Sequence, residues 1–372
     1  MSRRRVRKTE FTGPSAKPRG PIRVMVFVRH AHVTGISAIN YYRAIAPLSF
    51  LGLNDDSFTV EILGQAEIRQ AMQSGADAAL LGRDLYVTSR LFAGSLGRTE
   101  FIEAIHRHGG QVIFDTDDDL TDNHRELGRG GDFKGILQDV DYVTVSTPHL
   151  AKELAPLAAH EPWVLPNHVD AGWFGEQCMN TERTVDGLAI GLIGTASHYN
   201  DWGYPLEALR RIATENRNVT IVAAGYCPDY LKGLHNLVEL GPVPYIGYPG
   251  LMRQFDIVCC SLDPLDGFNQ SKSSIKALEA MAAARSLSKG QTGGAVAVCT
   301  NMPVYRRTVN NRHNGLLVNN DQWYEGLSLL VRDKRLREKI AVQGFKWVAA
   351  HRNIQTGYRR WGRAYRQMVE GT

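Results

Sequence analysis

Short apolar runs rich in β-branched residues alternate with helical patterns through the first part of the chain. Helices are predicted near residues 38–51, 66–72 and 99–108. The strand-like runs are IRVMVFV, FTVEIL, DLYVTS, QVIFDT and DYVTVS. Strands that are separated by single helices pair in parallel through right-handed crossovers. This half is therefore predicted to be a doubly wound sheet.

The alternation then restarts, with helices predicted near residues 205–214 and from about 272 to 284. The strand-like runs of this second series are LAIGLIG, VTIVAAG, LVELG, FDIVCCS and GAVAVCT. Two series of this length indicate two α/β domains, joined near residues 171–187. We predict Rossmann-like domains over residues 21–170 and 188–352, facing each other across a cleft.

The last segment, residues 353–372, carries apolar residues at helical spacing. They are Ile354, Tyr358, Trp361, Tyr365 and Met368. This stripe forms one apolar face, which must pack against another part of the protein. We expect an amphipathic C-terminal helix that crosses back onto the first domain.

Composition supports a globular protein of two domains. The chain has 372 residues, of which 43% are hydrophobic and 22% are charged, and it contains no apolar run near the roughly 20 residues that span a bilayer. The net charge of +5 is concentrated at the two ends. Residues 1–20 are basic and lack the apolar stretch of a secretory signal, so we expect a disordered arm on a cytoplasmic protein. The five cysteines show neither CxxC spacing nor nearby histidine pairs, which favours a reducing compartment and no zinc site.

Ligands of open α/β sheets bind beyond the carboxyl ends of the strands, and residues 261–282 form the most informative such loop. A helix is predicted to begin near Lys272, with Ser271, Ser273 and Ser274 as possible caps. Lys272, Lys276 and Glu279 fall along one face of it. Ammonium groups and free amides at a helix start can bind a diphosphate, and a carboxylate further along can hold a ribose diol. The alternative is an exposed Lys276–Glu279 ion pair on a solvated helix.

Two other glycine-containing loops follow predicted strands. In LIGTASHYNDW, Gly194 allows close approach of a ligand, and Thr195, Ser197 and His198 supply hydrogen-bonding groups. A capped turn explains that loop equally well. In the first domain, Gly35 and Ser37 precede a helix and can face a donor or acceptor across the cleft.

The segment FDTDDDL places four carboxylates after a strand, at Asp115, Asp117, Asp118 and Asp119. They can bind sugar hydroxyls, coordinate a metal ion or cap the loop. We favour the binding of sugar hydroxyls, and a metal is the least favoured of the three.

Several segments resemble, in order, the GT-B glycosyltransferases, particularly the large retaining family that includes sucrose synthase and bacterial mannosyltransferases. They are VLPNHVDAGWF, FDIVCCSLDP, KALEAMA and HNGLLVNNDQWYEGLSLLVRDKRLREKI. Together with GTASHYND they cover most of residues 140–350. The first domain matches more loosely, through YYRAIAPL and VIFDTDDDL, which look like a bacterial and phage subgroup.

The resemblance implies an acceptor domain followed by a donor domain, and it implies roles for single residues. Glu279 matches the second glutamate of the E-x7-E motif, which holds the donor ribose, whereas Ser271 replaces the first. Lys272 is then a diphosphate ligand, and the loop from Pro242 to Tyr245 lies where the family's backbone contacts the nucleobase. The residues expected to contact the donor sugar instead are Gly267, Phe268 and Asn269. Residues 284–294 are longer than the corresponding turn of the family.

The implied reaction transfers a sugar from a nucleotide-diphosphate donor with retention, without a metal, a cofactor or a protein nucleophile. Lys272, Glu279 and Asp117 are the residues expected to act in catalysis. The expected acceptor is a protein or a glycan, in the cytoplasm or in a host cytoplasm if the chain is encoded by a phage. Modified DNA bases as acceptor, a sugar-nucleotide epimerase or hydrolase, and an inactive nucleotide-sugar-binding protein are the alternatives.

Overall fold

A computed structural model describes residues 20–28, 37–73, 77–88, 98–121 and 133–371. The predicted basic arm, apart from Gly20, lies outside the described residues, and so does Gly35. Within the described ranges, no helix is both long and apolar enough to cross a membrane.

The first domain is built on a six-stranded sheet with the order β2-β1-β3-β4-β5-β6, in which every pairing is parallel. Its strands are β1 Ile22–Val28, β2 Phe58–Gly64, β3 Leu85–Thr88, β4 Gln111–Thr116, β5 Tyr142–Val145 and β6 Trp163–Val164. Its helices are α1 Ala38–Asn40, α2 Ala46–Asn54, α3 Gln65–Gln73, α4 Arg98–Arg107, α5 Phe133–Asp139 and α6 Pro148–Leu154. A 3-10 turn spans Asp77–Leu80. The predicted doubly wound sheet is confirmed.

After the linking helix α7, Ala171–Asn180, a second parallel sheet has the order β14-β13-β10-β7-β8-β9. Its strands are β7 Leu188–Ile193, β8 Val219–Ala224, β9 Leu237–Leu240, β10 Ile257–Cys260, β13 Val296–Thr300 and β14 Leu316–Val318, and a separate hairpin consists of β11 Arg285–Ser286 and β12 Thr292–Gly293. Its helices are α8 Gly203–Glu215, α9 Tyr248–Met252, α10 Gly267–Ser271, α11 Ile275–Ala282, α12 Pro303–Arg306, α13 Trp323–Arg332 and α14 Lys334–His351. Short 3-10 turns span Ala196–His198, Asp229–Leu231, Tyr245–Gly247 and Ser288–Gly290.

The central strands read as continuous apolar runs because helices cover both faces of each sheet. All residues of β10 and β13 are buried. Cys259, Cys260 and Cys299 lie in these strands as small core residues, and each thiol is free. The longer turn after α11 forms the β11–β12 hairpin, where the buried Arg285 pairs with Asp256 at 2.8 Å.

The chain ends in α15 Ile354–Gly357 and α16 Arg359–Glu370. Every member of the predicted apolar stripe is buried in the core of the first domain, in one cluster with Val24, Leu48 and Leu51. Where the chain returns from the second domain, Asn353 pairs with Val169 of the outgoing linker. The predicted crossover helix is confirmed.

One turn of π-helix, Tyr41–Ile45, lies between α1 and α2. The extra residue in this turn buries Tyr42, Arg43 and Ala44 together. Arg43 forms a bidentate ion pair with Asp115 in β4, at 2.9 and 2.7 Å, and both side chains are fully buried. The expectation that Asp115 binds sugar hydroxyls was therefore wrong, because Arg43 and the Thr144 hydroxyl already occupy its carboxylate.

Candidate functional site

The helix expected to begin near Lys272 begins at Ile275, with Ser274 as its N-cap residue. Lys272 has extended backbone geometry and ends α10. The Ser274 hydroxyl lies 2.7 Å from the Thr308 hydroxyl and makes no capping bond to its own helix. The predicted start near Lys272 was therefore wrong by about one turn, and Ser274, one of the three predicted caps, occupies the N-cap position without making the capping bond. Lys272 and Ser273 form the linker that leads into α11.

Lys276, on the first turn of α11, reaches the loop that follows β7. Its Nζ lies 3.0 Å from the position that a Cβ on Gly194 would occupy. The missing side chain of Gly194 thus leaves room for this ammonium group. Burial, followed by repulsion from Lys272, lowers the pKa of Lys276 to about 8. Two ammonium groups lie near the adjoining ends of β7 and β10, which suits an anionic ligand.

His198 belongs to the same loop, and its ring is buried inside the domain. Its Nδ1 lies 2.7 Å from Asp201, whose other carboxylate oxygen accepts hydrogen bonds from the backbone of Asp263 and the amide of Asn269, each at 2.8 Å. Burial and the charge of Lys276 lower the pKa of His198 to about 3, so the imidazole is neutral at physiological pH. This network joins the loop after β7 to the loop after β10.

Glu279 is buried, which excludes the exposed Lys276–Glu279 ion pair considered above. Its carboxylate accepts hydrogen bonds from the hydroxyls of Tyr42, at 2.7 Å, and Tyr248, at 2.9 Å. Burial raises the pKa of Glu279 to about 7, and these two bonds act in the opposite direction. A carboxylate of the second domain is thus hydrogen-bonded to the first.

The two tyrosines that bond this carboxylate belong to an aromatic cluster, which consists of Tyr41, Tyr42, Trp173, Tyr245 and Tyr248. The rings of Tyr41 and Tyr245 lie 4.5 Å apart, and those of Trp173 and Tyr245 lie 5.8 Å apart. Tyr245 was predicted from the sequence, whereas Tyr42, Trp173 and Tyr248 were missed. The Tyr-Tyr pair in YYRAIAPL was visible, but no local pattern shows that it crosses to the other domain.

The two domains also touch beside the linker into α11. The Thr147 hydroxyl donates to the carbonyl of Ser271 at 3.1 Å, and the amide of Asn167 donates to the Ser273 hydroxyl at 2.9 Å. A cavity of about 340 Å³ opens at this contact and is lined by Lys272, Ser273 and Ser274. The start of α11 therefore faces the gap between the domains, as the predicted site requires.

The other predicted residues have varied surroundings. Thr195 and Ser197 are exposed, with hydroxyls 2.9 Å apart, and Ser37 caps α1. Lys272 lies 5.0 Å from the centre of the Phe268 ring, beside the exposed Gly267. Asn269 is buried, and its amide nitrogen also donates to the carbonyl of Asp263 at 3.2 Å.

The aspartates of the acidic segment after β4 have different surroundings. Asp119 accepts two hydrogen bonds from Thr121 and so closes a turn. Asp117 and Asp118 are half-buried after the end of the strand. In the described part of the chain, no three His, Cys, Asp or Glu side chains are grouped so that they could hold a metal ion.

Among known proteins, the chain matches solved structures but no family model and no curated sequence. HepE from Anabaena, in complex with UDP and glucose, has a TM-score of 0.62 at 11% identity, over 93% of this chain and 100% of that one. Sucrose-phosphate synthase from Thermosynechococcus elongatus has a TM-score of 0.62 at 12% identity, over 94% and 100% of the two chains.

A third chain, assigned as a UDP-N-acetylglucosamine 2-epimerase from Listeria monocytogenes, has a TM-score of 0.54 at 12% identity. It covers 95% of this chain and 98% of its own length. At 11–12% sequence identity, structural similarity establishes the fold and not the activity. The predicted GT-B architecture, with two parallel α/β domains and a returning C-terminal helix, is confirmed.

Proposed function

We propose that this GT-B chain is a glycosyltransferase that moves a sugar from a nucleotide-diphosphate donor to an acceptor. The observation that carries the proposal is the placement of Lys272, Lys276 and Glu279 around the first turns of α11, next to Gly194. Cationic groups at a helix start between two parallel strands suit a diphosphate. A carboxylate one turn further along suits the hydroxyls of a ribose.

In this proposal Lys272 and Lys276 bind the diphosphate and stabilise the negative charge that grows on it as the sugar leaves. Such preorganised electrostatic stabilisation is worth roughly 3–4 kcal/mol per donor in other enzymes. His198 stays neutral and fixes the loop, while Asp117 is the proposed ligand of a sugar hydroxyl. Transfer proceeds with retention and without a metal.

Ribose hydroxyls can reach the Glu279 carboxylate only after it becomes exposed, because it is buried in this structure. Tyr42 belongs to the first domain and Glu279 to the second, so a small opening of the domains breaks this bond and exposes the carboxylate. Donor binding then replaces an interdomain contact, and closing over the bound donor excludes water from the reaction.

The proposed acceptor is a protein or a glycan. The free cysteines fit a cytoplasmic site of action. HepE is described in complex with UDP and with UDP-glucose, so uridine nucleotides are the first donors to test.

The test is the release of UDP from UDP-glucose and other UDP-sugars by the full chain, with and without added protein or glycan acceptors. We expect release that depends on the acceptor. Release without an acceptor would indicate a hydrolase, and conversion of the sugar without release would indicate an epimerase.

Two variants connect the activity to the site. We expect Glu279→Ala to weaken donor binding and Lys272→Ala to lower turnover, each with the protein still folded. Lys232→Ala, which removes an exposed lysine paired with Asp229, is the matched control. Wild-type kinetics in both site variants would remove the assignment.

A further inference from the structure

The cavity beside the start of α11 lies on the opposite side from Lys276. In the second sheet, β10 has β7 on one side and β13 on the other. Lys276 points toward Gly194 at the end of β7, whereas the cavity is bordered by Pro303, Val304 and Arg307, which follow β13. A diphosphate held by Lys276 and Lys272 on the Gly194 side of α11 thus leaves the part of the cavity beside Arg307 free for another group.

Both domains contribute basic side chains to the walls of the cavity. They are His149 and Lys152 from α6, Lys272 from the linker, Arg307 at the end of α12, and Arg352 after α14. The lining contains no aspartate or glutamate. Within the described part of the chain, none of the five forms an ion pair. The cavity therefore attracts anions.

Two buried polar atoms of the lining point to a ligand of the same kind. The Nη1 of Arg352 is buried and has no hydrogen-bond partner among the described residues. The Ser146 side chain is 3% exposed, and its hydroxyl also has no partner there. Buried donors are normally paired, and an oxyanion would accept hydrogen bonds from both.

We propose that this cavity binds an oxyanion, a phosphate or a carboxylate, carried by the acceptor. The inference rests on the proposed function, because the acceptor must lie next to the diphosphate that departs. Lys272 borders the cavity and is also close to Lys276. An acceptor whose charged group is held by Arg307, Lys152 and Arg352 is thereby placed beside the bond that breaks.

The first experiment measures the binding of inorganic phosphate to the full chain by thermal stabilisation at constant ionic strength, with and without saturating UDP. We expect phosphate to bind in both conditions, because the proposed function places the diphosphate of UDP on the Gly194 side of α11. Loss of phosphate binding when UDP is present would overturn the proposal.

The variant Lys152→Ala/Arg307→Ala is expected to weaken phosphate binding at least about tenfold and to leave UDP binding within about twofold of wild type. Arg306→Ala is the matched control, since Arg306 is adjacent on α12 but donates to Asn301 and does not line the cavity. Unchanged phosphate affinity in the double variant would overturn the proposal. If UDP fails to bind while the variant still loses phosphate, the proposed function fails and the oxyanion site stands.

A second experiment distinguishes the acceptor from the donor sugar as the source of the oxyanion. The affinities for UDP-glucose and UDP-glucuronate are compared in the wild type and in the double variant. We expect the ratio of the two affinities to stay unchanged. A selective loss of UDP-glucuronate in the variant would place the charge on the donor sugar and contradict the assignment to the acceptor.

Discussion

The Tyr42 hydroxyl of the first domain donates a hydrogen bond of 2.7 Å to the Glu279 carboxylate of the second. The two residues are 237 positions apart in the chain. Because Glu279 is buried, this bond serves a carboxylate that water does not reach. The resting position of the two domains and the state of the proposed ribose ligand are thereby coupled.

Tyr42→Phe should lower the free energy of unfolding by about 1–3 kcal/mol, because it leaves a buried acceptor with one partner fewer. Urea unfolding measures the change. Tyr324→Phe is the control, since its hydroxyl bonds an exposed Glu215 and its loss should cost less than about 1 kcal/mol. Equal losses in the two variants would show that the buried interdomain bond contributes no more to stability than the exposed bond of Tyr324.

The effect of Tyr42→Phe should also depend on pH. The pKa of Glu279 in the folded protein is about 7, above its ordinary value, so the fold retains a proton that the unfolded chain releases and stability falls as pH rises toward 7. The Tyr42 bond lowers this pKa. Without the Tyr42 bond the pKa of Glu279 is higher, so the stability of the variant keeps falling up to a higher pH than that of the wild type. The loss of stability relative to the wild type should therefore be larger at pH 8 than at pH 5. An equal loss at both values would mean that the bond does not favour the charged carboxylate.

The charge of Lys276 should control donor affinity at alkaline pH. Its pKa of about 8 means that the ammonium loses its proton as pH rises from 7 to 9.5, and we expect the affinity for UDP to fall about tenfold over that range. Lys276→Arg keeps its charge and should remove the dependence. Calorimetric titration across the range tests this. An alkaline loss that persists in Lys276→Arg would assign it to another group.

Gly194→Ala should weaken UDP binding by about tenfold, the equivalent of about 1.4 kcal/mol. The added Cβ would lie 2.7 Å from His198 and 3.0 Å from the Lys276 ammonium. The imidazole, although hydrogen-bonded to Asp201, must therefore shift, and the Lys276 ammonium is displaced with it. Gly203→Ala is the control, because its added Cβ meets nothing within 4 Å. The affinity for UDP is measured in both variants. Wild-type affinity in Gly194→Ala would show that the loop after β7 does not belong to the donor site.

Arg43→Met should lower the free energy of unfolding by about 3–5 kcal/mol, because it leaves the Asp115 carboxylate buried without its charged partner. Arg23→Met breaks an exposed ion pair with Asp84 and should cost less than about 1 kcal/mol. Urea unfolding of both variants measures the difference. Similar small losses would mean that Asp115 does not depend on Arg43.

Local patterns predicted the fold well because helix and strand periodicities, crossovers and apolar stripes are properties of short segments. Gly194, Lys276 and Glu279 were predicted for the same reason, since they follow strands or share a helix face. Contacts between distant segments were not visible. Arg43 forms an ion pair with Asp115, which is 72 positions away in the chain. Tyr42 and Tyr248 donate hydrogen bonds to Glu279. The start of α11 was misplaced because Ser271, Ser273 and Ser274 look alike as caps, whereas the Ser274 hydroxyl contacts Thr308 instead.

The returning C-terminal helix affects how the protein is made. Trp361 and Tyr365 are fully buried in the same cluster as Val24 and Leu48, so the first domain to leave the ribosome lacks part of its interior until residues 354–368 are synthesised. Domains usually fold in the order of their synthesis. Here the later domain can reach its native state before the earlier one is complete, and a chain that stops before residue 354 would leave the earlier domain open to proteolysis.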